Sequence, residues 1–341
     1  MIPRIHISFP LGKQLAFCFG KSYSPQAGEY LLNHARSGIV IALRSTLPNG
    51  GRVGVVAYNC HTVVNAVVEA DCQPVFVDVT EDLYVDIQHL SSLSLDAIVV
   101  TNLFGIHNDI EAIRKAQPNA IIIVDNAHGY GLPAEGDFTV YSINQGKFPA
   151  LGEGGILVVN NNYYAITIQL QYEQLRGYSR SQELKLFLTM LIKAWMHTPW
   201  IYSLITKHMK AHRSAVVCRE KVSIRRMARG VSRLYQQALP TIGEQIAMQR
   251  DNAQLIADAL TSAGLAQRVW YGDNAFMAIA RTSDRNALQQ HCIAHGVETA
   301  THFAKAIEWA KQFGYLQGTC PKAEKLTNEL VMIPTYKKIK L

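Results

Sequence analysis

Lys147 and Asp125 are the two residues of this sequence whose types and spacing most directly suggest chemistry. Asp125 ends an apolar run at 121–124, and Lys147 follows twenty-two residues later. A lysine amine can form a Schiff base with an aldehyde, and a carboxylate can keep a heterocyclic nitrogen protonated. A site for pyridoxal phosphate requires both groups. Ser142, five residues before the lysine, and the glycine-rich stretch 152–155 after it add to this pattern.

Each of the two residues also has an ordinary structural explanation. An aspartate often closes a buried strand, and most lysines are solvated. A lysine acts as a base near neutral pH only where burial or nearby positive charge lowers its pKa. The two residues in this order, with the glycines around them, favour a cofactor site more strongly than either residue does alone.

The blocks around these two residues occur in an order that is typical of one family. The sequence from Val53 to Gly155 resembles the sugar aminotransferases of the DegT/StrS group, which have pyridoxal-phosphate fold type I. The matching blocks are 54–60, 65–67, 74–78, 102–105, 109–113, 125–128, 136–137, 141–147 and 152–155. Weaker matches lie at 2–3, 313–315 and 333–336. The resemblance covers nearly the whole chain except about 176 to 228.

The resemblance implies a role for five residues. Lys147 corresponds to the lysine that binds the cofactor covalently, and Asp125 to the partner of the ring nitrogen. Ala127 corresponds to the small residue that lies against the ring. His128 is expected to bond the phenolic oxygen of the cofactor, and Ser142 is expected to contact its phosphate.

Two positions depart from the family pattern. The segment 33–43 should open a helix whose free N–H groups favour a phosphate. Where the family commonly has a glycine and a threonine, this chain has Arg36 and Ser37, so the arginine is expected to supply charge. The position of the aromatic residue that stacks on the cofactor aligns with Cys60, beside His61. Either residue is a candidate, and a structural role for the histidine is equally open.

The alternation of apolar runs predicts an α/β fold. The chain has 341 residues, 48% of them hydrophobic, with a mean hydropathy of +0.02, so it can bury one large core and a small second domain. The expected strands are 53–57, 74–78, 97–101, 120–124, 138–143 and 155–159. The expected helices are 36–47, 60–71 and 108–117. This pattern predicts a three-layer architecture, a mostly parallel sheet with helices on both faces.

The second half of the chain predicts further domains. A helical pattern at 232–264 precedes an expected strand at 274–281 and a helix at 283–295. We therefore expect a large cofactor domain at 1–175, a basic and apolar helical insert at 176–231, and a connecting helix with a small C-terminal α/β domain at 232–341. The chain ends soon after 333–336, whereas family members usually continue into a closing helix, so a short C-terminus is expected.

The cysteines and the N-terminus favour a cytoplasmic protein. No C-x-x-C pair or zinc-like spacing occurs, so we expect free thiols and no metal site. The six cysteines are Cys18, Cys60, Cys72, Cys218, Cys292 and Cys320. The first residues are interrupted by proline and charge and contain no continuous apolar run, so no signal peptide is indicated.

The insert carries the basic character of the protein. Residues 176–233 contain thirteen basic and two acidic residues, a charge of +11 in a chain of net charge +7, which leaves −4 for the remainder. The stretch 184–209 is apolar and aromatic but is interrupted by lysines, whereas a spanning helix needs roughly 20 largely uncharged residues. We therefore exclude a transmembrane helix and expect two helices broken at Pro199.

Several roles for the insert stay open at this stage. The helices could pack on the core or on a dimer partner. Residues 184–210 could instead contact an anionic membrane surface or a lipid-linked substrate. An acidic carrier protein or a nucleotide diphosphate would also be attracted by the charge. Nucleic acid is not expected, because no recognition motif is present.

The resemblance implies a pyridoxal-phosphate-dependent aminotransferase that moves an amino group, with glutamate as the expected donor, to a nucleotide-linked keto sugar. Two alternatives are an aminotransferase for a lipid-linked or carrier-linked ketone at the membrane surface and a regulatory protein that binds the cofactor without turnover. A homodimer is expected, because the family builds each site at a subunit interface. The family's asparagine that reaches the neighbouring site is not recognisable around 230–233.

Overall fold

The elements expected for the first half of the chain are present in the computed structural model, which describes residues 1–5, 7–198, 200–203, 221–339 and 341. Their bounds lie within two residues of the expected ones. The described helices are α1 (Leu11–Phe19), α2 (Ala35–Thr46), α3 (His61–Glu69), α4 (Ile87–Ser91), α5 (Ile110–Ala116), α6 (Ala165–Glu173), α7 (Arg180–Met196), α8 (Arg229–Ala238), α9 (Ile242–Ser262), α10 (Arg285–Ala294), α11 (Ala306–Lys311) and α12 (Pro321–Glu329). The described strands are β1 (Glu29–Leu32), β2 (Arg52–Val56), β3 (Gln73–Val77), β4 (Ala97–Thr101), β5 (Ile121–Asn126), β6 (Phe138–Ser142), β7 (Gly155–Val159), β8 (Arg268–Trp270), β9 (Met277–Arg281) and β10 (Leu330–Pro334).

The large sheet has seven strands in the order β1-β7-β6-β5-β4-β2-β3. Strands β2 to β6 form parallel pairs, while β7 runs antiparallel to β6 and β1 antiparallel to β7. The predicted, mostly parallel sheet is therefore confirmed. Because the carboxyl ends of parallel strands meet at one edge, Thr101, Asp125 and Ser142 are all brought to that edge.

Alternate side chains of the central strands enter two different cores. Ala97 and Val99 of β4 pack in the cluster formed with α2 and α3, while Ile98 and Val100 pack in the cluster that contains Ile113 of α5. All five side chains are fully buried. Helices thus cover both faces of the sheet, which accounts for the nearly continuous apolar character of its strands.

The C-terminal part contains a three-stranded antiparallel sheet in the order β10-β9-β8. Ile256 of α9 and Leu288 of α10 pack with it in one buried cluster. The helical pattern expected over 232–264 is divided in the structure into α8 and α9. A 3₁₀ turn, Leu239–Thr241, separates them, and its Pro240 cannot donate a helical backbone hydrogen bond.

Helices α1, α7 and α8 form a further cluster around Phe17, Met190 and Leu234. The expected break at Pro199 lies outside the described residues. The part of the segment 184–210 that follows residue 203 also lies outside them. Within the described part of the chain, no helix is both long and apolar enough to cross a bilayer. The division into domains at 175 and 231 stays a prediction.

Candidate active site

A cavity of about 240 Å³ lies at the carboxyl edge of the large sheet. It brings together seven of the nine residues expected to form the site, namely Arg36, Cys60, Asp125, Ala127, His128, Ser142 and Lys147. Ser37 and His61 do not line it. Residues separated by more than a hundred positions thus meet in one space because β2, β4, β5 and β6 end at the same edge.

Asp125 is a buried carboxylate in β5, held by neutral donors. The backbone N–H of Ala127 donates to Oδ1 at 2.9 Å, and the hydroxyl of Thr101 donates to Oδ2 at 3.4 Å. The amide of Asn59 in turn donates to the Thr101 hydroxyl oxygen at 2.8 Å. Burial raises the pKa of Asp125 although these donors and the nearby Lys147 oppose the shift. A cation beside this carboxylate would keep it ionised.

Lys147 is partly buried, and its amine contacts His128. The distance between Lys147 Nζ and His128 Nε2 is 2.6 Å. The backbone N–H of Phe104 donates to Nδ1 of the same imidazole at 3.2 Å, so the imidazole proton lies on Nε2 and points to the amine. Burial lowers the pKa of Lys147 and of His128. With the imidazole proton on Nε2, the amine is placed to accept a hydrogen bond from His128.

Aromatic rings fix the orientation of His128. The imidazole lies nearly parallel to Phe104, Phe276 and Phe303, with ring centroids between 5.0 and 5.9 Å apart. Phe303 and Phe276 come from the C-terminal part of the chain. The position of His128 Nε2 thus depends on contacts between the large sheet and the C-terminal part.

The loop that carries Lys147 is held by Asn144 and by close backbone packing. Asn144 Oδ1 accepts the N–H of Gly154 at 2.7 Å, and its amide nitrogen donates to His34 Nδ1 at 3.1 Å. A Cβ atom on Gly155 would lie 2.2 Å from the carbonyl carbon of His34. Only glycine fits there, so this residue lets the start of α2 approach β7 and the lysine loop.

The start of α2 forms another wall of the cavity. His34 precedes the helix and makes no side-chain cap, so no His34 side-chain atom occupies the first N–H groups of α2. Arg36 lines the cavity, and its buried Nε has no hydrogen-bond partner among the described residues. Ser37 points elsewhere, because its hydroxyl donates to Asn33 at 2.9 Å. The arginine is therefore the side chain of this helix start that is placed to meet an anion.

Cys60 and His61 take different positions at the start of α3. Cys60 faces the cavity, while the ring of His61 lies against Trp309 at a centroid distance of 5.0 Å. Burial raises the pKa of the Cys60 thiol, but hydrogen bonds from His61 and Thr62 and the charge of Lys147 outweigh it and lower the pKa to about 7. Of the two candidates, the structure places the cysteine on the cavity side.

Ten further residues of the cavity are absent from the sequence-based expectation, among them Asn59, Thr101, Asn144, Gln145 and Phe303. The first two had a signal, because a polar residue at the end of a buried parallel strand lies at the ligand edge of the sheet. Phe303 had none, since it reaches the cavity only through the packing of the C-terminal part.

Comparison with protein families matches residues 31–341 to the DegT/DnrJ/EryC1/StrS aminotransferase family. The chain belongs to this family. Its members are pyridoxal-phosphate-dependent aminotransferases, and the chain is accordingly an enzyme of this class with pyridoxal phosphate as its cofactor. The resemblance seen in the sequence blocks is therefore confirmed.

Solved structures of the DegT/DnrJ/EryC1/StrS type share the whole fold at low sequence identity. The sugar aminotransferase CalS13 from Micromonospora echinospora aligns over 98% of this chain and 95% of its own, with 16% identity and a TM-score of 0.73. The GDP-4-keto-6-deoxy-D-mannose-3-dehydratase of E. coli, with bound hydrated pyridoxal phosphate, aligns over 99% and 96% with 15% identity and a TM-score of 0.71. DesI, solved in the presence of its TDP-sugar product, aligns over 90% and 75% with 16% identity and a TM-score of 0.66. These matches establish the fold.

The residues of the family's cofactor cavity fit pyridoxal phosphate. Arg36 Nε lacks a partner in the described part of the chain and lies at a helix N-terminus, where a phosphate would satisfy it. Asp125 receives hydrogen bonds from neutral donors, so a protonated ring nitrogen would supply the cation it lacks. Lys147 offers its amine to an aldehyde. An anion site, a carboxylate and an amine thus line one cavity.

Proposed function

We propose that the protein transfers an amino group from an amino acid, with glutamate as the expected donor, to the keto group of a nucleotide-linked sugar. The observation that carries the proposal is the position of the Lys147 amine in one cavity with Asp125. The fold alone does not choose the reaction, since a dehydratase shares it. DesI, which has a TDP-sugar product, supports the nucleotide-linked substrate.

The cofactor's anchoring is divided among residues of the cavity. Lys147 would hold the aldehyde group, Asp125 the ring nitrogen, and Arg36 with Ser142 the phosphate. When bound, pyridoxal phosphate supplies an electron sink for the bond that breaks at the substrate carbon. Ala127 and Cys60 line the same cavity and are proposed to contact the two faces of the ring.

Proton transfer falls to Lys147 and its neighbour. A neutral Nζ could accept the proton from the Cα of the amino donor and deliver it to the carbon on the other side of the amino nitrogen, which requires a pKa below the ordinary lysine value. His128 donates through Nε2 and keeps this nitrogen near the reacting atoms. In the reverse direction the same amine would deliver a proton to the carbon that becomes aminated.

A larger cavity gives room for the acceptor. It has a volume of about 520 Å³ and reaches Lys147, Gly146 and Phe148 of the lysine loop. Arg4 and Lys13 add positive charge to its wall, which suits the diphosphate of a nucleotide sugar. We propose that the amino donor and the keto sugar enter the site from this side.

A second candidate substrate is a ketone on a lipid or a carrier. The cavity of about 520 Å³ shares Ile5, Pro10 and Tyr336 with a neighbouring cavity of about 540 Å³, which extends to Trp195 of α7. The walls of both are largely apolar, so a hydrocarbon chain could lie along them. This candidate predicts turnover of a lipid-linked keto sugar and none of nucleotide sugars.

The test is a screen of donors and acceptors read by the absorbance of the bound cofactor. Glutamate should bleach the absorbance of the holoenzyme, and a keto sugar nucleotide should restore it. Lys147→Ala should bind cofactor and fail in both steps, and full turnover by this variant would overturn the mechanism. Tight cofactor binding with no response to any donor would instead indicate a regulatory protein. The homodimer stays a prediction, and sedimentation equilibrium would test it.

A further inference from the structure

Helix α7 presents a row of large apolar side chains to solvent. Leu184, Leu188, Ile192 and Trp195 recur at helical spacing and are between 48% and 62% exposed. The opposite side of α7 packs inside the protein, because Met190 is buried in the cluster with α1 and α8. The exposed row therefore contributes little to the described core.

Helix α1, which contacts α7, also exposes a row of apolar side chains. Leu11, Leu15 and Phe19 are between 53% and 83% exposed. The two helices touch, since the ring centroids of Phe17 and Phe187 lie 5.4 Å apart. We call these two rows and the helices that carry them the α1–α7 face.

The α1–α7 face is held firmly on α8. The ring of Phe17 packs on Gly230, where a Cβ atom would lie 2.3 Å from it. Arg233 donates from Nη1 to the carbonyl oxygens of Phe17 and Cys18, which end α1. Any side chain at position 230 would displace the Phe17 ring, so this packing of α1 on α8 requires glycine there.

The charge of this part of the chain identifies the kind of partner. Residues 176–233 carry thirteen basic and two acidic residues. One of the acidic residues is already engaged, because the Glu183 carboxylate accepts the backbone N–H groups of Arg229 and Gly230 at 2.6 and 3.1 Å. Arg180 and Lys185 of α7 are exposed. Apolar rows flanked by free cations suit an anionic lipid surface.

We propose that the α1–α7 face docks on the surface of an anionic lipid bilayer. Its apolar rows enter the boundary between headgroups and acyl chains, and the exposed Arg180 and Lys185 of α7 meet the lipid phosphates. A second copy of the chain fits less well, since a symmetric contact would bring the exposed Arg180 and Lys185 of both copies to one interface. Docking does not depend on which keto substrate the enzyme takes and goes beyond the proposed reaction.

Flotation of the full-length holoenzyme with vesicles tests the proposal. The protein should float with vesicles of equal parts phosphatidylcholine and phosphatidylglycerol and should stay behind with phosphatidylcholine alone. High salt should weaken the binding, because salt screens the cations. Failure to float with the anionic vesicles at low salt would overturn the proposal whether or not the enzyme turns over substrate.

Matched triple variants locate the surface. Leu184→Gln with Leu188→Gln and Ile192→Gln should lower the vesicle partition coefficient by about tenfold or more. The control is Tyr163→Gln with Ile166→Gln and Leu170→Gln, because these side chains at α6 are also between 57% and 84% exposed. The control should bind as the wild type does.

Three outcomes of this comparison are decisive. Equal losses in the α7 and α6 variants would show general stickiness and overturn the proposal. A loss of dimer mass in the α7 variant, with vesicle binding unchanged, would assign the face to a second copy. If the α7 variant loses its far-UV circular dichroism, Leu11→Gln with Leu15→Gln and Phe19→Gln takes its place, and unchanged vesicle binding by that folded variant would also overturn the proposal.

Discussion

The cavity around Lys147 and the α1–α7 face expose opposite kinds of group to their surroundings. In the cavity, charged side chains are buried and held by neighbours, as Asp125 is by Ala127 and Thr101. On the face, large apolar side chains are exposed, as Leu188 and Trp195 are. Both arrangements are unfavourable for an isolated fold, which prefers polar groups outside and apolar groups inside. Such departures mark binding surfaces, and here each indicates a different ligand.

The largest expected effect is on the charge of the cavity. Asp125→Asn removes the anion beside the ring nitrogen, so turnover should fall by about 10²- to 10³-fold, equivalent to roughly 3–4 kcal/mol in the barrier. Steady-state kinetics of the holoenzyme measures this. Asp96→Asn is the control, since that carboxylate accepts the Arg52 N–H outside the cavity at 2.7 Å and should affect only stability. Unchanged turnover in Asp125→Asn would show that this cavity is not where the reaction takes place.

The second-largest expected effect is the loss of folding stability at acid pH that His302 causes. Burial, with the charges of Lys147 and Arg4, lowers the pKa of His302 from its ordinary value of 6.5 to about 3. The unfolded chain therefore binds more protons between these values, and stability is lost as pH falls below 6.5. For the apoprotein, His302 should account for a loss of about 2–3 kcal/mol by about pH 4.5.

Replacing the histidine isolates its contribution. His302→Phe should flatten the pH dependence of the urea-unfolding free energy between about pH 4.5 and 6.5. The imidazole Nδ1 has no hydrogen-bond partner in the described part of the chain, so its removal leaves no donor orphaned. His295→Gln, at an exposed histidine, should keep the wild-type slope. An unchanged slope in His302→Phe would show that this group titrates normally.

A smaller effect is expected for the anion end of the cavity. Arg36→Gln should weaken cofactor binding by about tenfold, or roughly 1.4 kcal/mol, because one charge-assisted contact to the phosphate is lost. Arg44→Gln lies on the same helix but bonds to Glu69, so it should bind cofactor normally. Fluorescence titration of the apoenzyme compares the two variants. Equal cofactor affinities of the two variants would show that Arg36 does not contact the phosphate.

The smallest expected effect is on the unfolding free energy, and it concerns the exposed row of the α1–α7 face. The triple α7 variant of Leu184, Leu188 and Ile192 should change the unfolding free energy by no more than about 0.5 kcal/mol, since exposed side chains add little to the core. Thermal and urea denaturation without lipid measure it. A loss of several kcal/mol would mean that the row is buried in the folded protein and is not a free surface.

Much of the large sheet follows from local sequence pattern. The strands that form the cavity edge are short apolar runs between helical stretches, so periodicity finds them, and Asp125 and Lys147 follow from residue type and order. Strand β1 was not expected, because it pairs with β7 more than a hundred residues away. Its place depends on the later strand, which no local pattern encodes.

The site was predicted less completely than the sheet for a similar reason. Ser37 was expected at the phosphate, but its hydroxyl bonds to Asn33, a contact that depends on the turn before α2. Phe303 and Phe276 reach His128 only because the C-terminal part packs against the large sheet. The α1 row was missed because the packing of Phe17 on Gly230 decides which side of that helix is exposed.

The central claim is that Lys147 is the residue that binds the cofactor covalently. Holoenzyme reduced with sodium borohydride, digested and examined by mass spectrometry tests it directly. The expected result is a pyridoxyl-phosphate adduct on the peptide that contains Lys147, with Lys193 and the other lysines unmodified. An adduct on a different lysine, or none in an enzyme that turns over, would contradict the assignment.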